Sequence, residues 1–450
     1  MAWAGALALP FLAALMLVWR RGPARERFAI AVPAAGVAIG LASALTLVLM
    51  LAGVRTRGLF IILDAAAWIA CAVAALSARR RVAPAQGAAH HDGRWSTTGA
   101  VVLLAGTAIV AAVGFVAASS VFPHGEWDAW AQWNLRARFF FKGFGDGTWR
   151  HAFAPVLAWS HPDYPLLIPL SVARLWIYGG VETLAAPIVF GGVMAAATVA
   201  AAGLAVARAR GAARGCLAAA VILACPSFVR YSAAQCADVA VGFYVLSAFI
   251  LWANADAGPG RRSQWILAGT AAALAGWTKN EGLVVFGIFV GALAVERVRS
   301  SGRRGLRDAG LVVAGAAPVL LVILLFKVVL APASYFTAEQ SLAQAAGSLV
   351  DAERLRLVSF AFGREMWLTG ATLAGVLPFL AAFAVVRGID AGAPSAARAA
   401  VPAMLVVLGV YMVAYLVTPK DLAWQLRTSL DRLVLQVVPT LAWSVIAMTR

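Results

Sequence analysis

Glu126 and Asp128 stand one residue apart in the run FPHGEWDAWAQWNLRARFFF, Phe122 to Phe141, directly after an apolar stretch long enough to cross a bilayer. Carboxylates held at a membrane surface are suited to proton transfer, and the aromatic residues around them suit the headgroup layer. If 127–141 is helical, Trp127, Trp130, Asn134, Ala137 and Phe141 share one stripe, while Asp128, Gln132, Leu135 and Arg138 lie to its side. Such a helix is amphipathic and rests on the membrane. The plainer alternative is that Asp128 caps it or pairs with Gln132 or Arg136.

Four further polar clusters interrupt the apolar chain. In WSHPDYPLLIPL, Trp159 to Leu170, Pro162 and Pro165 hold His161, Asp163 and Tyr164 in a turn that shapes a sugar or phosphate pocket, or simply starts a helix with Asp163 as its cap. PSFVRYSAAQCADVAVGFY brings Arg230, Tyr231 and Asp238, the last at the head of a span where it also answers the positive end of the helix dipole. GWTKNEGL places Lys279 and Glu281 in a tight turn between spans, where the lysine meets a lipid phosphate or merely closes a polar hairpin. TPKDLAWQLRTSLDRLVLQVVP carries Arg427, Asp431 and Arg432 into the last span. Arg427 and Asp431, four apart, are spaced to pair, and an arginine left free offers planar donors to a phosphate or pyrophosphate.

The elements that position these groups are membrane helices. The 450 residues are 62% hydrophobic and 13% charged, with a mean hydropathy of +0.84. The apolar windows show no ten-residue alternation of the kind a β-barrel needs, so the expected fold is all-α, a polytopic integral membrane protein. Candidate spans cover roughly 2–18, 28–52, 59–78, 98–120, 184–207, 213–230, 238–254, 263–279, 282–297, 309–331, 366–387, 399–418 and 432–447, about thirteen in all. The short apolar segment 165–178 reads as a re-entrant or surface helix. In the first span the arginines Arg20 and Arg21 follow the apolar run, the reverse of a cleaved signal peptide.

Charge orients the helices. Arginines crowd the segments after Trp19, Ser77, Val206, Gly260, Glu296 and Val386 and account for most of the net charge of +17. Basic residues collect in cytoplasmic loops, so the N-terminus is expected outside, the C-terminus inside, and all five polar clusters outside. Basicity of this kind reflects topology and anionic lipid rather than a nucleic-acid partner. Cys71, Cys216, Cys225 and Cys236 have no metal-ligand or redox spacing. The chain divides into N-terminal accessory helices with a basic loop, 1–97, a core, 98–331, with an external loop at 121–163, and a C-terminal part, 332–450.

An acidic motif in the first large external loop, a juxtamembrane aromatic helix, a proline turn, a Tyr-to-Asp segment and an arginine-to-proline stretch in a late span together resemble the GT-C superfamily of membrane glycosyltransferases. The likeness is closest to bacterial relatives of protein O-mannosyltransferases and aminoarabinose transferases, and runs over roughly 98–447. It implies a polyprenyl-phosphate-linked sugar as donor, a membrane-lipid setting, transfer at the outer face of a bacterial-type inner membrane, and paired loop carboxylates matched by Glu126 and Asp128. Asp128 is then the base and Glu126 supports it or orients the acceptor; Arg432, Lys279 and Arg427 hold the donor phosphate; Asp238, His161, Asp163, Tyr164, Tyr231 and Glu281 line the sugar and acceptor pocket. A single base opposite a lipid-phosphate leaving group implies inversion at the anomeric carbon. The chain departs from the family in its three extra N-terminal spans, in the separation of Pro162 from Pro165, and in having no soluble C-terminal domain, which leaves the acceptor unnamed.

No cofactor is required by this scheme. An oxygen and imidazole site for a divalent ion can nonetheless be drawn from His124, Glu126, Asp128, His161 and Asp163. A transporter or lipid flippase is a second reading, favoured by broken helices and charges at the bilayer midplane. A lipid-linked glycan ligase or polymerase is a third.

Overall fold

The computed structural model describes residues 4–19, 24–77, 94–257, 262–333, 341–371 and 374–450. Arg20, Arg21, Arg261 and the basic segment 78–93 lie outside them. The described chain is helical, its one β-bridge joining Ile389 to Thr449. In chain order the helices are α1 (Ala4–Trp19), α2 (Ala24–Leu51), α3 (Arg57–Ser77), α4 (Arg94–Val121), α5 (Asn134–Lys142), α6 (Leu167–Gly179), α7 (Ala185–Arg210), α8 (Ala212–Leu223) and α9 (Pro226–Ala233). They continue with α10 (Ala237–Asp256), α11 (Arg262–Thr278), α12 (Glu281–Ser301), α13 (Leu306–Val329), α14 (Leu342–Leu349), α15 (Ala352–Leu368), α16 (Val376–Arg387), α17 (Ser395–Val417) and α18 (Leu422–Met448).

Among the described residues eight helices are long and apolar enough to cross a membrane, or nine with α8 and α9 as one bent span. The protein is therefore a polytopic helical membrane protein, and the count falls short of the thirteen expected from apolar windows alone. The window 213–230 is not one rod: α8 and α9 meet at 64°, with Pro226 starting the second piece. The window 366–387 is split too, its helical parts being the end of α15 and the 12-residue α16. At 17 and 16 residues α11 and α1 stand at the lower limit of the length a crossing needs. Helix α6, with 13 residues, is too short to cross, in keeping with a re-entrant element. It does not lie on a surface, however, since every residue from Leu167 to Tyr178 is buried.

Helix α10 forms the axis, with 94% of its apolar window buried among α2, α7, α11, α17 and α18. Small residues let its neighbours approach closely. A Cβ on Gly269 of α11 would sit 1.8 Å from the carbonyl oxygen of Val312 in α13, and one on Gly315 would sit 2.1 Å from that of Ile266. Only glycine fits these crossings, the packing that membrane helices use when no hydrophobic difference separates lipid from protein. Peripheral α4 is the opposite extreme, with 6% of its window buried.

One buried ion pair ties the N-terminal helices to this assembly. Arg174 of α6 holds Asp64 of α3 at 2.5 Å, the two side chains 4% and 0% exposed, while Tyr178 donates to the same carboxylate. Arg57 adds hydrogen bonds to the carbonyls of Ile177 and Tyr178 at the end of α6. A charge at membrane depth is costly unless paired, and here each side chain supplies what the other lacks.

Candidate functional site

The acidic segment is not a single helix. After Val121 the chain turns through Gly125, whose φ of +76° and whose approach to Ala234 exclude a side chain: a Cβ would lie 2.7 Å from the Ala234 carbonyl oxygen. A short π-helix, Ala129–Trp133, then precedes α5. Widened turns of this kind recur at functional sites, where they re-aim side chains. One consequence corrects the expected stripe: Trp127 and Trp130 are exposed, but Asn134 and Ala137 are buried. Asn134 donates to Gln235 at 2.7 Å, and Gln235 donates to the Pro123 carbonyl, which clasps the segment to the α9–α10 turn.

Asp128 stands at the start of the π-helix and makes no capping hydrogen bond. It reaches across to Arg432 of α18 at 2.5 Å. Arg432 faces Asp238 at 3.4 Å, Asp238 holds Lys279 at 3.0 Å, and Lys279 approaches Glu281 at 3.4 Å. Five residues from four separated stretches of sequence thus form one continuous ionic chain. Its inner members are nearly sealed, Asp238 and Lys279 being 1% and 4% exposed, while Asp128 and Arg432 are each 15% exposed. Three carboxylates face two cations, so the chain is close to self-neutral without any ligand.

Further donors surround Asp238. Gln436, one helical turn beyond Arg432 on the same face of α18, donates to Asp238 at 2.6 Å, and Tyr411 of α17 donates to Gln436. A buried carboxylate needs such donors to replace lost water. Three buried atoms of this ionic chain have no hydrogen bond, Glu281 Oε2, Asp238 Oδ2 and Arg432 Nε, and the last two face each other as an ion pair at 3.4 Å.

The proline turn packs beside this chain. Asp163 does not cap α6; it accepts from Asn280 at 3.0 Å, and Lys327 at the end of α13 donates to Asn280 and to the Asp163 carbonyl. Arg136 is fully buried and donates to the carbonyls of His161 and Tyr164. Burial pulls the Arg136 guanidinium down to about 10, against the opposing pull of Asp163. Tyr164 packs its ring edge-on against Trp133, with Lys279 6.0 Å from its centroid. His161 sits in the left-handed region at φ 50°, and burial lowers its pKa while Asp163 and Asp128 oppose the shift.

Other expected members stand apart. Glu126 pairs with Arg230 at 3.0 Å on a more exposed flank. Asp431 does not pair with Arg427 but accepts from Tyr231, and Arg427 is exposed, with no ion pair among the described residues. No group of three or more His, Cys, Asp or Glu side chains among the described residues is placed to hold a metal ion, so the set drawn from His124, Glu126, Asp128, His161 and Asp163 does not converge on one. Glu365 of α15 is a member the sequence reading passed over. Burial, and then Asp431, push its carboxyl up to about 7.

A narrow apolar gap, about 10 Å³ in volume, lies behind the acidic segment, lined by Ile168, Phe190, Met194, Gln235 and Val239 among others. It adjoins the ionic chain through Cys236 but contains none of its charges. The polar groups that meet are all at one end of the bundle, where α4, α11 and α13 finish and α10 and α12 begin. Arginines gather at the other end, where Arg210 pairs with Asp390, and Arg297 holds Asp256 at 2.8 Å and Asp308 at 2.5 Å. No protein-family model, curated protein or solved structure matches the chain.

Proposed function

We propose that this protein is a membrane glycosyltransferase of the GT-C type, moving a sugar from a polyprenyl phosphate to a hydroxyl acceptor. The observation that supports it best is the ionic chain from Asp128 through Arg432 and Asp238 to Lys279. It sets a partly exposed carboxylate beside an arginine whose planar donors suit a phosphate, with a buried lysine behind. In the proposed step the acceptor oxygen attacks the anomeric carbon, its proton passes to Asp128, and the sugar–phosphate C–O bond breaks with its electron pair leaving on the lipid phosphate. Arg432 and Lys279 stabilise that leaving charge, and Asp238 holds both cations in register. One displacement inverts the anomeric carbon. Asp163, Tyr164 and His161 edge the sugar pocket; Glu281, Tyr231, Glu126 and Arg427 serve its margin.

The same reading places the arginine-rich end in the cytoplasm and the ionic chain on the outer face, with short helices such as α1, α11 and α16 completing about thirteen crossings. A transporter or flippase is a second reading, favoured by the Asp64–Arg174 pair at membrane depth. The deciding experiment gives purified full-length protein a labelled polyprenyl-phosphate sugar and compares it with Asp128→Asn. Transfer at the wild-type rate in the variant removes Asp128 as base, and failure to bind any polyprenyl phosphate removes the reading.

A further inference from the structure

The polar end of the bundle carries an apolar shelf that the ionic chain does not use. Helix α4, almost wholly turned outward, ends at Val121, and the apolar exposure does not stop there. Phe122, Trp127 and Trp130 are exposed beyond it, and a second segment, the 3₁₀ turn Pro155–Ser160, adds Val156 and Trp159. In a 3₁₀ helix residues three apart eclipse one another, so Val156 and Trp159 project along one edge. Their edge meets the first segment: the ring centroids of Trp127 and Trp159 are 6.2 Å apart, and those of Trp127 and Trp130 are 4.5 Å apart. The sequence PVLAWS holds no charge, and Val156 is 78% exposed. Leaving such a surface in water is unfavourable, and among the described residues nothing else covers it.

We propose that this two-segment shelf is seated in the headgroup layer of the bilayer, with the 155–160 turn as an anchor separate from the transmembrane helices. Its continuity with the lipid-facing side of α4 selects lipid over a soluble partner. Tryptophan also suits that depth, since its ring is apolar while its N–H can meet headgroups or water. Asp128, flanked by Trp127 and Trp130 in the chain, is thereby held at the boundary between lipid and water. The proposal concerns position alone, and it stands or falls separately from any transfer reaction.

The test is spin-label accessibility on the full-length protein in phosphatidylcholine nanodiscs. Cys71 and Cys216, the less buried thiols, are replaced by serine, and single cysteines are introduced as Val156→Cys, Val113→Cys on α4, and Lys142→Cys. Val113 is 64% exposed on the span and marks lipid, while Lys142, with a side chain 69% exposed, marks water. Collisions with oxygen, which partitions into lipid, and with a water-soluble nickel chelate are then compared. The expected result is a ratio at position 156 shifted from the Lys142→Cys value toward that of Val113→Cys. A ratio equal to that of Lys142→Cys places the turn in water and overturns the proposal. Shielding from both reagents shows that a second copy or another segment covers the shelf, and overturns it as well.

Discussion

Asp128→Asn is the substitution on which the proposed site is most exposed to refutation, because it predicts a gain as well as a loss. Asp128 holds Arg432 at 2.5 Å with both side chains 15% exposed. Two unit charges about 4 Å apart attract by about 4 kcal/mol at an effective dielectric of ~20, most of which desolvation offsets. The net worth of a hydrogen bond to a charged group is about 1.5–3 kcal/mol. A phosphate that takes Arg432 must displace this contact. Replacing the carboxylate with a neutral amide lifts that competition, so the variant is expected to bind polyprenyl phosphate about 10- to 100-fold more tightly, at about 1.4 kcal/mol per tenfold. Transfer should fall in the same variant by about 10²- to 10⁴-fold, the usual worth of a general base. Equilibrium binding of polyprenyl phosphate to protein in nanodiscs reads the first effect, and release of labelled product reads the second. Glu126→Gln is the control: it also removes a carboxylate, but one paired with Arg230 on an exposed flank, and should change binding by no more than a few-fold. Unchanged or weaker phosphate binding by Asp128→Asn would refute the idea that the ligand and Asp128 share Arg432.

Three further outcomes follow from the same geometry. Lys279→Met removes the nearer of the two cations at Asp238, 1% exposed, leaving Arg432 at 3.4 Å, and should cost about 3 kcal/mol, read as a lower Tm; Lys279→Met with Asp238→Asn should recover much of it. Asp64→Asn strands Arg174 in the same way, and thermal unfolding should drop by a similar amount while Asp64→Glu retains more of it. Glu365, pushed up to about 7 mainly by burial, binds its proton more tightly folded than unfolded. Its contribution to stability is therefore present at acid pH and lost as pH rises through about 7, so wild-type Tm should decline across that interval and Glu365→Gln should flatten the decline.

Composition made the membrane class legible, because no soluble fold tolerates so long a series of apolar windows. The polar clusters were legible as clusters, because each ionisable group in such windows needs a partner. What spacing could not supply was who partners whom. Arg427 and Asp431 are four apart, which is ample reason for a pair, yet Tyr231 reaches Asp431 from another helix. The bond from Gln436 to Asp238 had a faint signal in its four-residue offset from Arg432; Tyr411, Asn280 and Lys327 had none. The window count exceeds the eight or nine candidate spans among the described residues for a related reason. Hydropathy averages over a window and does not register that Pro226 starts a new helix at 64° to the last. Nor does it distinguish α6, an apolar segment buried in protein, from one that faces lipid.

Location within the bundle bears on the choice between an enzyme and a transporter. A transporter's coupled charges are expected near the midplane, at discontinuous helices in corresponding halves of the chain. Here the connection Asp128–Arg432–Asp238–Lys279 joins three groups at helix ends to Arg432, ten residues into α18, and runs from the more accessible Asp128 to the buried Asp238 and Lys279. The Asp64–Arg174 pair does sit within the helices, but both its side chains are fully engaged with each other, with Tyr178 and with the Ala6 carbonyl. A pair so completely satisfied has little free-energy reason to exchange partners during a transport cycle. The Asp238–Arg432 gap is different, since an acceptor and a donor face each other there without a hydrogen bond. Buried polar groups left in that condition call for a further partner, and this pair lies directly behind Asp128, which holds Arg432 at 2.5 Å from the more exposed side.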